Sequence, residues 1–426
     1  TLARILRFAG DDVTMEYYVN DVGKQVAILV WGTDNAPDDL PPPEREKEDH
    51  VRVRAYRWAN ERMEEDPEVA AEIDALIERV ETGDRPVVER FGKVIGPVLE
   101  GMLESLARLN IAYDSFVNES EFILDGSVER VIEGLKRSPL AVVEEDGAWY
   151  LDMEGMVHGR TARFVFARAS GTSLYTTRDI AYHMDKFRRG DHLINVLGED
   201  HRLQARQLAL ALHELGEERE PENIFYSFVS LPEGKMSTRR GRVVYMDDLL
   251  DEAVERATAE VEARRPELPE ERRREIAEAV GIGAVRYNIV RVQAEKKIVF
   301  RWEEALNFDG DSAPFLQYAY ARASSILRNA GAAGHVFEFA PDPDDQRLLE
   351  VLAAFPSTVR SCAEERRPHR MASYLHTVAV AFNHFYRDCR VIGSDRERER
   401  LALVSAARTV LGNGLDLLGI AHPEEI

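Results

Sequence analysis

The sequence is poor in lysine, in cysteine and in long apolar runs, and each shortage removes a class of explanation. Of 55 Lys plus Arg only eight are Lys (24, 47, 93, 136, 186, 235, 296 and 297), against 77 Asp plus Glu and a formal net charge of −22. That balance excludes the globally basic footprint selected by phosphate backbones and leaves any nucleic-acid contact to local arginine clusters. An acidic surface with arginine in place of lysine suits concentrated salt, where charge repulsion is screened within about 3 Å at 1 M. Cys362 and Cys389 fall on separate expected helices without Cys-x-x-Cys spacing. They fit reduced core residues of a cytoplasmic protein and argue against a structural metal. No run approaches the roughly eighteen apolar residues of a membrane span, no secretory leader opens the chain, and no Gly-x-x-x-x-Gly-Lys-Ser/Thr loop occurs. What remains is a soluble protein of 426 residues, 44% hydrophobic and 31% charged, long enough for two or three domains.

Read in order, Thr1 to Gly10 resembles the end of an amphipathic helix closed by glycine, which suggests a fragment. Val13 to Val19 reads as a strand, and Asn20-Asp21-Val22-Gly23-Lys24-Gln25 as a polar turn opening a helix over Val26 to Trp31. Open α/β sheets bind ligands at such strand ends, although Asn and Asp also simply cap helices. Residues 35–50 form a proline-rich acidic loop, and Val51 to Asn110 is helical with Pro67, Pro86 and Pro97 at breaks. Short strands are expected at Glu121–Leu124, Ala141–Glu144 and Ala148–Asp152, around a helix at Ser127–Arg137.

After a strand at Arg163–Phe166, Tyr175 and Asp179 stand four apart, so a helix would put them on one face. An aromatic ring beside a carboxylate can hold a guanidinium by stacking and paired hydrogen bonds. A second strand, Leu193–Leu197, ends in Gly198-Glu199-Asp200-His201, where glycine lets a ligand approach and Asp can hold ribose hydroxyls. Ile224–Leu231 is a third strand, and it leads into Pro232-Glu-Gly-Lys235-Met236-Ser237-Thr-Arg-Arg-Gly241. Glycines at both ends and cations between them suit a polyphosphate. Beyond Asp247 the chain reads as helical: to Arg265, then Arg272–Val299, Ser312–Ala330, Asp345–Val359, Ala372–Cys389 and Arg396–Leu418. Arg286, Arg291, Lys296 and Lys297 with Tyr287, Tyr318 and Tyr320 could stack unpaired bases, or form an ordinary solvated bundle face.

These pieces, taken with Asp247-Asp-Leu-Leu-Asp-Glu-Ala253, Asn307-Phe-Asp-Gly-Asp-Ser-Ala-Pro314 and Leu316-Gln-Tyr-Ala-Tyr-Ala-Arg322, resemble the arginyl-tRNA synthetase family along nearly the whole chain. Tyr-Thr-Thr-Arg-Asp and Ser-Ala-Pro…Leu-Gln-Tyr are its specific elements; Lys-Met-Ser-Thr marks only the wider class I. The resemblance implies an α/β Rossmann-like class I synthetase catalytic domain followed by an all-α anticodon-binding helical bundle. It divides the chain into 1–112 and 163–245 (catalytic), 113–162 (a small α+β insertion), 246–275 (a stem) and 276–426 (the bundle). It implies that Tyr175 and Asp179 hold the guanidinium of L-arginine, with Asn20, Asp21 and Gln25 lining the same pocket. Gly198, Asp200 and His201 would face ATP, with Val229 and Leu231 at its adenine. Lys235, Met236 and Ser237 would act on the phosphates, alongside Mg2+ carried by ATP. Gln317, Tyr318 and Arg322 would contact tRNA(Arg).

The family's His-x-Gly-His element is expected just before Thr1, and no histidine of this sequence occupies that context. On that expectation the chain alone has little aminoacylation activity, and a monomer without membrane contact completes the picture. Alternatives are a non-catalytic tRNA-binding paralogue and another class I synthetase. A cysteinyl type fits poorly, since a thiol needs no carboxylate partner for Tyr175.

Overall fold

The computed structural model describes residues 1–157, 162–230, 245–331 and 341–426. They fall into two compact units: Met15–Leu106 with Ala112–Tyr226, and Thr1–Thr14 with Ala107–Ile111 and Ser227–Ile426. The first helix, α1 (Leu2–Ala9), belongs to the latter and ends at Gly10, whose φ of 110° suits glycine.

The unit beginning at Met15 is α/β. Strand β1 (Glu16–Val19) pairs in parallel with β2 (Ser115–Asn118), in register Glu16↔Ser115 to Val19↔Asn118. Four helices intervene: α2 (Lys24–Asn35), α3 (Glu48–Glu65), α4 (Pro67–Glu81) and α5 (Arg85–Arg108). Their core centres on Ile73, Val80 and Phe91, all fully buried, with Trp31 stacked on Trp58 and donating to Glu72 at 2.6 Å. Asp66 caps α4 by accepting from the Glu68 amide at 2.9 Å, and Pro67 takes the first helical position. Pro97, expected at a break, lies inside α5. The backbone hydrogen bond it forfeits is outweighed by burial of Val88, Phe91 and Val94 before it and Gly101 after it.

Glu121–Leu124, expected as a strand, is part of α6 (Glu119–Leu124). The Glu121 carboxylate accepts from the Asn118 amide at 3.1 Å, a capping box that starts a helix where the apolar run alone suggested extension. Helix α7 (Ser127–Leu135) is followed by an antiparallel sheet of β3 (Ala141–Val143), β4 (Trp149–Asp152) and β5 (Arg163–Ala167), in that order. Then come α8 (Tyr175–Arg189), β6 (Ile194–Gly198), α9 (Arg202–Glu214) and β7 (Glu222–Tyr226), with β6 and β7 parallel. Leu135, Leu151, Met153, Phe166 and Ile180 form the fully buried centre of this half. Helix α8 touches both parallel pairs: the Tyr18 ring of β1 stacks on Tyr182 at 4.3 Å, and Lys186 donates to Asn195 of β6 at 2.9 Å.

The single strand expected over Ile224–Leu231 is two. Only β7 continues the parallel pair, while β8 (Val229–Ser230) pairs with residues of the second unit. In that unit α10 (Met246–Arg264) crosses α11 (Glu270–Val290), and a β-carbon at Gly281 would meet the Ala253 carbonyl oxygen at 2.7 Å. Helix α11 stops at Val290, short of the expected Val299, because Ile298–Val299 is β9 and pairs in parallel with β8. After α12 (Trp302–Ala305), α13 (Ala313–Ala330) starts at Ser312, whose Oγ accepts from the Phe315 amide at 3.4 Å. The helix expected over Asp345–Val359 is likewise two, α14 (Pro343–Ala353) and α15 (Phe355–Glu364), since Pro356 favours a new first turn. Helices α16 (His369–Asp388) and α17 (Glu397–Leu418) complete the bundle.

By length and composition α17 could cross a membrane, yet Leu411, Leu415 and Leu418 are fully buried and make it a core helix of this bundle. Arg286 of α11 is buried, and its guanidinium donates to the Leu418 carbonyl at 2.7 Å and to the Leu109 carbonyl. Thr1 Oγ1 lies 3.5 Å from that same Leu418 oxygen.

Candidate active site

The α8 N-terminus is pinned before it presents any chemistry. The Thr177 hydroxyl, fully buried, donates to the Phe166 carbonyl of β5 at 2.6 Å. Arg178, 3% exposed, donates to the Ser173 carbonyl at 3.2 Å and to the Glu119 carboxylate. With these two residues turned inward, Tyr175 and Asp179 share another face. The tyrosine is exposed, and the aspartate carboxyl is 38% exposed.

The turn after β6 meets this face. Gln204, in the first turn of α9, donates to Tyr175 Oη, and its Oε1 accepts from His201 Nδ1 at 2.6 Å. Asp200 and His201 are exposed beside it. Gly198 lets the Asp200 side chain lie close over the backbone: a β-carbon there would meet Asp200 Oδ1 at 2.6 Å and make that carboxylate move. Two carboxylates, one phenol, an amide and an imidazole therefore converge at the carboxyl end of a parallel strand, where such sheets bind ligands. Burial opposes ionisation of Asp179, but His183, Lys186 and His201 outweigh it and hold the carboxyl below the usual range. The site carries a fixed negative charge.

The β1 end is arranged differently. Asp21, 4% exposed, accepts from the Ser120 amide at 2.9 Å and its hydroxyl at 2.5 Å. It binds the start of α6 to β1, and burial pushes its carboxyl up against those bonds. Asn20, with its amide nitrogen turned toward the acceptors around it, donates to Glu119 Oε2 at 2.9 Å. Gln25 is exposed in the first turn of α2. Val229, on β8 of the other unit, is 47% exposed. Leu231, Lys235, Met236 and Ser237 lie outside the described residues.

Three polar residues were not singled out from the sequence. Glu119 is 1% exposed; burial pushes its carboxyl up to about 7 against the pull of Arg178, with Asp21 and Asp179 reinforcing burial. His183 contacts Asp179, and Gln204 bridges Tyr175 and His201. Helical spacing could have found the last two: His183 is four residues beyond Asp179, and Gln204 three beyond His201. Glu119 had no such signal.

In the bundle, Arg322 stacks between two rings, 4.6 Å from the centroids of Tyr318 and of Tyr386, and donates to Asn383 at 2.7 Å. They line an open cavity of about 580 Å³, which Arg265, Arg328 and Arg390 also line. Gln317 points the other way. It is fully buried, donating to the carbonyls of Ala279 at 2.9 Å and Ala421 at 2.7 Å, so the tRNA contact expected of it has no exposed side chain to make it.

Residues 1–302 match the family model "tRNA synthetases class I (R), catalytic domain", and residues 316–426 match "DALR anticodon binding domain". The fold is that of a class I aminoacyl-tRNA synthetase, with its catalytic domain followed by a helical anticodon-binding domain. The chain is 47% identical over 430 residues to the arginine–tRNA ligase of Methanocella arvoryzae, covering all of this chain and 76% of the relative. It is 46% identical to that of Methanothermobacter thermautotrophicus, covering 75% of it. Among solved structures, arginyl-tRNA synthetase of Thermus thermophilus superposes with a TM-score of 0.81 at 31% identity, over all of this chain and 78% of that one. This chain belongs to the arginyl-tRNA synthetase family, and its chemistry is that of an arginine–tRNA ligase using arginine, ATP and tRNA.

Proposed function

We propose that Asp179 and Tyr175 are the residues that select arginine. The observation that carries this is their placement one turn apart on α8, with the ionised carboxyl held at 38% exposure beside the phenol. A guanidinium can then share charge-assisted hydrogen bonds with the carboxylate while the ring covers its plane. Gln204 joins this pocket to Asp200 and His201, which face the adenosine of ATP together with Gly198. Asn20 and Gln25 contribute at the β1 end, Asn20 acting beside Glu119; Asp21 serves by holding that end in place. Val229 and Leu231 meet the adenine.

In the reaction so read, the arginine carboxylate attacks the α-phosphorus of ATP and pyrophosphate leaves. A hydroxyl at the tRNA 3′ end then attacks the aminoacyl carbonyl and AMP leaves. Lys235, with Met236 and Ser237 in its loop, stabilises the developing phosphate charge. Mg2+ enters with ATP and neutralises part of that charge. Tyr318, Arg322 and Tyr386 form the face on which unstacked anticodon bases of tRNA(Arg) lie. The domain division read from the sequence, a cytoplasmic monomer without membrane contact, and adaptation of an acid-rich, lysine-poor surface to concentrated salt, as in halophilic archaea, belong to the same proposal.

The test is arginine-dependent exchange of pyrophosphate into ATP by this chain, in molar KCl with cognate tRNA. Exchange that is lost in Asp179→Asn supports the assignment. Full exchange in that variant overturns it.

A further inference from the structure

Behind Asp179 lies a chain of polar side chains that the proposed arginine pocket does not itself require. His183, 4% exposed, places Nδ1 2.9 Å from the Asp179 carbonyl oxygen and 3.1 Å from its Oδ1. Both partners only accept, so Nδ1 carries the proton. On the other side of the ring, Nε2 lies 3.1 Å from Lys186 Nζ and 2.9 Å from Asn195 Nδ2. Lys186 can only donate, and it also donates to Asn195 Oδ1 at 2.9 Å, which turns the Asn195 amide nitrogen toward the ring. Asn195 Nδ2 is anchored in turn on Asn223 Oδ1 at 3.1 Å.

We infer that His183 is a positioning residue for arginine recognition, a neutral Nδ1–H imidazole that orients the Asp179 carboxylate, with Lys186 and Asn195 fixing its tautomer. The inference rests on reading Asp179 as the guanidinium acceptor. Two donors on Nε2 leave no lone pair there for a second proton. The imidazole therefore steadies the carboxylate without adding a positive charge to compete with the incoming guanidinium. The arrangement spans α8, β6 and β7, more than an i,i+4 contact on one helix would need. A half-buried ammonium is costly unless its donors are used, and here Lys186 serves His183 and Asn195 while also lying 4.2 Å from the Tyr182 ring centroid.

Two substitutions separate orientation from packing. In His183→Asn the amide nitrogen can take the place of Nδ1 and still donate to Asp179. In His183→Gln the amide oxygen can take the place of Nε2, so Lys186 stays satisfied while Asp179 loses its donor. Titration calorimetry of L-arginine and, separately, of ATP reads both on the same chain, with thermal unfolding alongside. We expect the Gln variant to bind arginine about tenfold or more weakly, the value of a hydrogen bond to a charged group. The Asn variant should stay within about threefold of the unsubstituted chain, and ATP affinity should be unchanged in both. Equal arginine affinity in the two variants, or arginine and ATP affinities falling together with the melting temperature, overturns the positioning role. If the unsubstituted chain binds ATP but no arginine, the reading of Asp179 fails and the inference fails with it.

Discussion

The arginine pocket proposed at the start of α8 and the tyrosine–arginine face of the bundle would both deal in guanidinium chemistry, in opposite senses. At α8 the protein supplies the carboxylate and leaves room for a cation. At Tyr318, Arg322 and Tyr386 it supplies the cation, already stacked between two rings. The first site is backed by buried polar groups, with Glu119, Thr177, Arg178 and His183 all under 5% exposed. The second is built from partly exposed rings, with Arg322 donating to the Asn383 amide. A small charged substrate demands one carboxylate in one orientation, and a buried frame supplies that. An unstacked base offers a broad face that any well-placed ring or guanidinium can meet, so an open aromatic surface suffices.

The sharpest way to break this comparison is at Asp179. Removing the charge in Asp179→Asn leaves the guanidinium without its partner, a loss of about 2–5 kcal/mol for a desolvated pair. Arginine kcat/KM should fall by about 30-fold to a few thousand-fold with tRNA affinity unchanged, checked by pyrophosphate exchange and filter binding. Arg322→Ala should do the reverse. Losing one stacking partner costs about 1–3 kcal/mol of tRNA binding, while calorimetric arginine affinity holds.

Glu16 tests how far the buried frame depends on protonation. Burial opposes its ionisation, but bonds from Arg189, Tyr182 and Ser115 hold the carboxyl down to about 2, from an ordinary value of 4.5. A depressed folded value means its stabilisation is present above pH 4.5 and lost as pH falls from 4.5 toward 2. Glu16→Gln should lower the melting temperature at neutral pH, where that stabilisation is fully present, and flatten the acid limb below pH 4.5 so that the two melting curves converge toward pH 2. The smallest effect is expected at Ser312→Ala. Loss of the α13 cap costs about 1 kcal/mol and should lower the melting temperature by a few degrees without touching arginine binding.

The Tyr175–Asp179 pair was legible because helical spacing alone places both on one face, and the strand before Gly198 was legible from its apolar run. Gln317 was not. Its neighbours Tyr318 and Arg322 are surface residues, but one helical position turns it inward, where two carbonyls distant in sequence, of Ala279 and Ala421, need a donor. Glu121–Leu124 misled for a related reason, since four residues of apolar pattern do not separate strand from helix and the capping box decided. Ile298–Val299 is a strand only because Val229 and Ser230 offer an edge to pair with. Such partners are set by the assembled fold and leave no local mark.

The bond from Arg286 to Leu418, and the placing of Thr1 against the same carbonyl, have a consequence for how the protein is made. Thr1 and Leu418 are 417 positions apart, and α1 packs on α15 and α17. A ribosome releases α1 long before it has synthesised either partner. Met15–Leu106 with Ala112–Tyr226 can close its own core in the interval, whereas α1 waits with its buried face, Ile5 and Leu6, unpaired. The second unit thus completes only when α17 emerges, which makes the long-range closure its slow step and the waiting α1 its point of exposure to chaperones and aggregation.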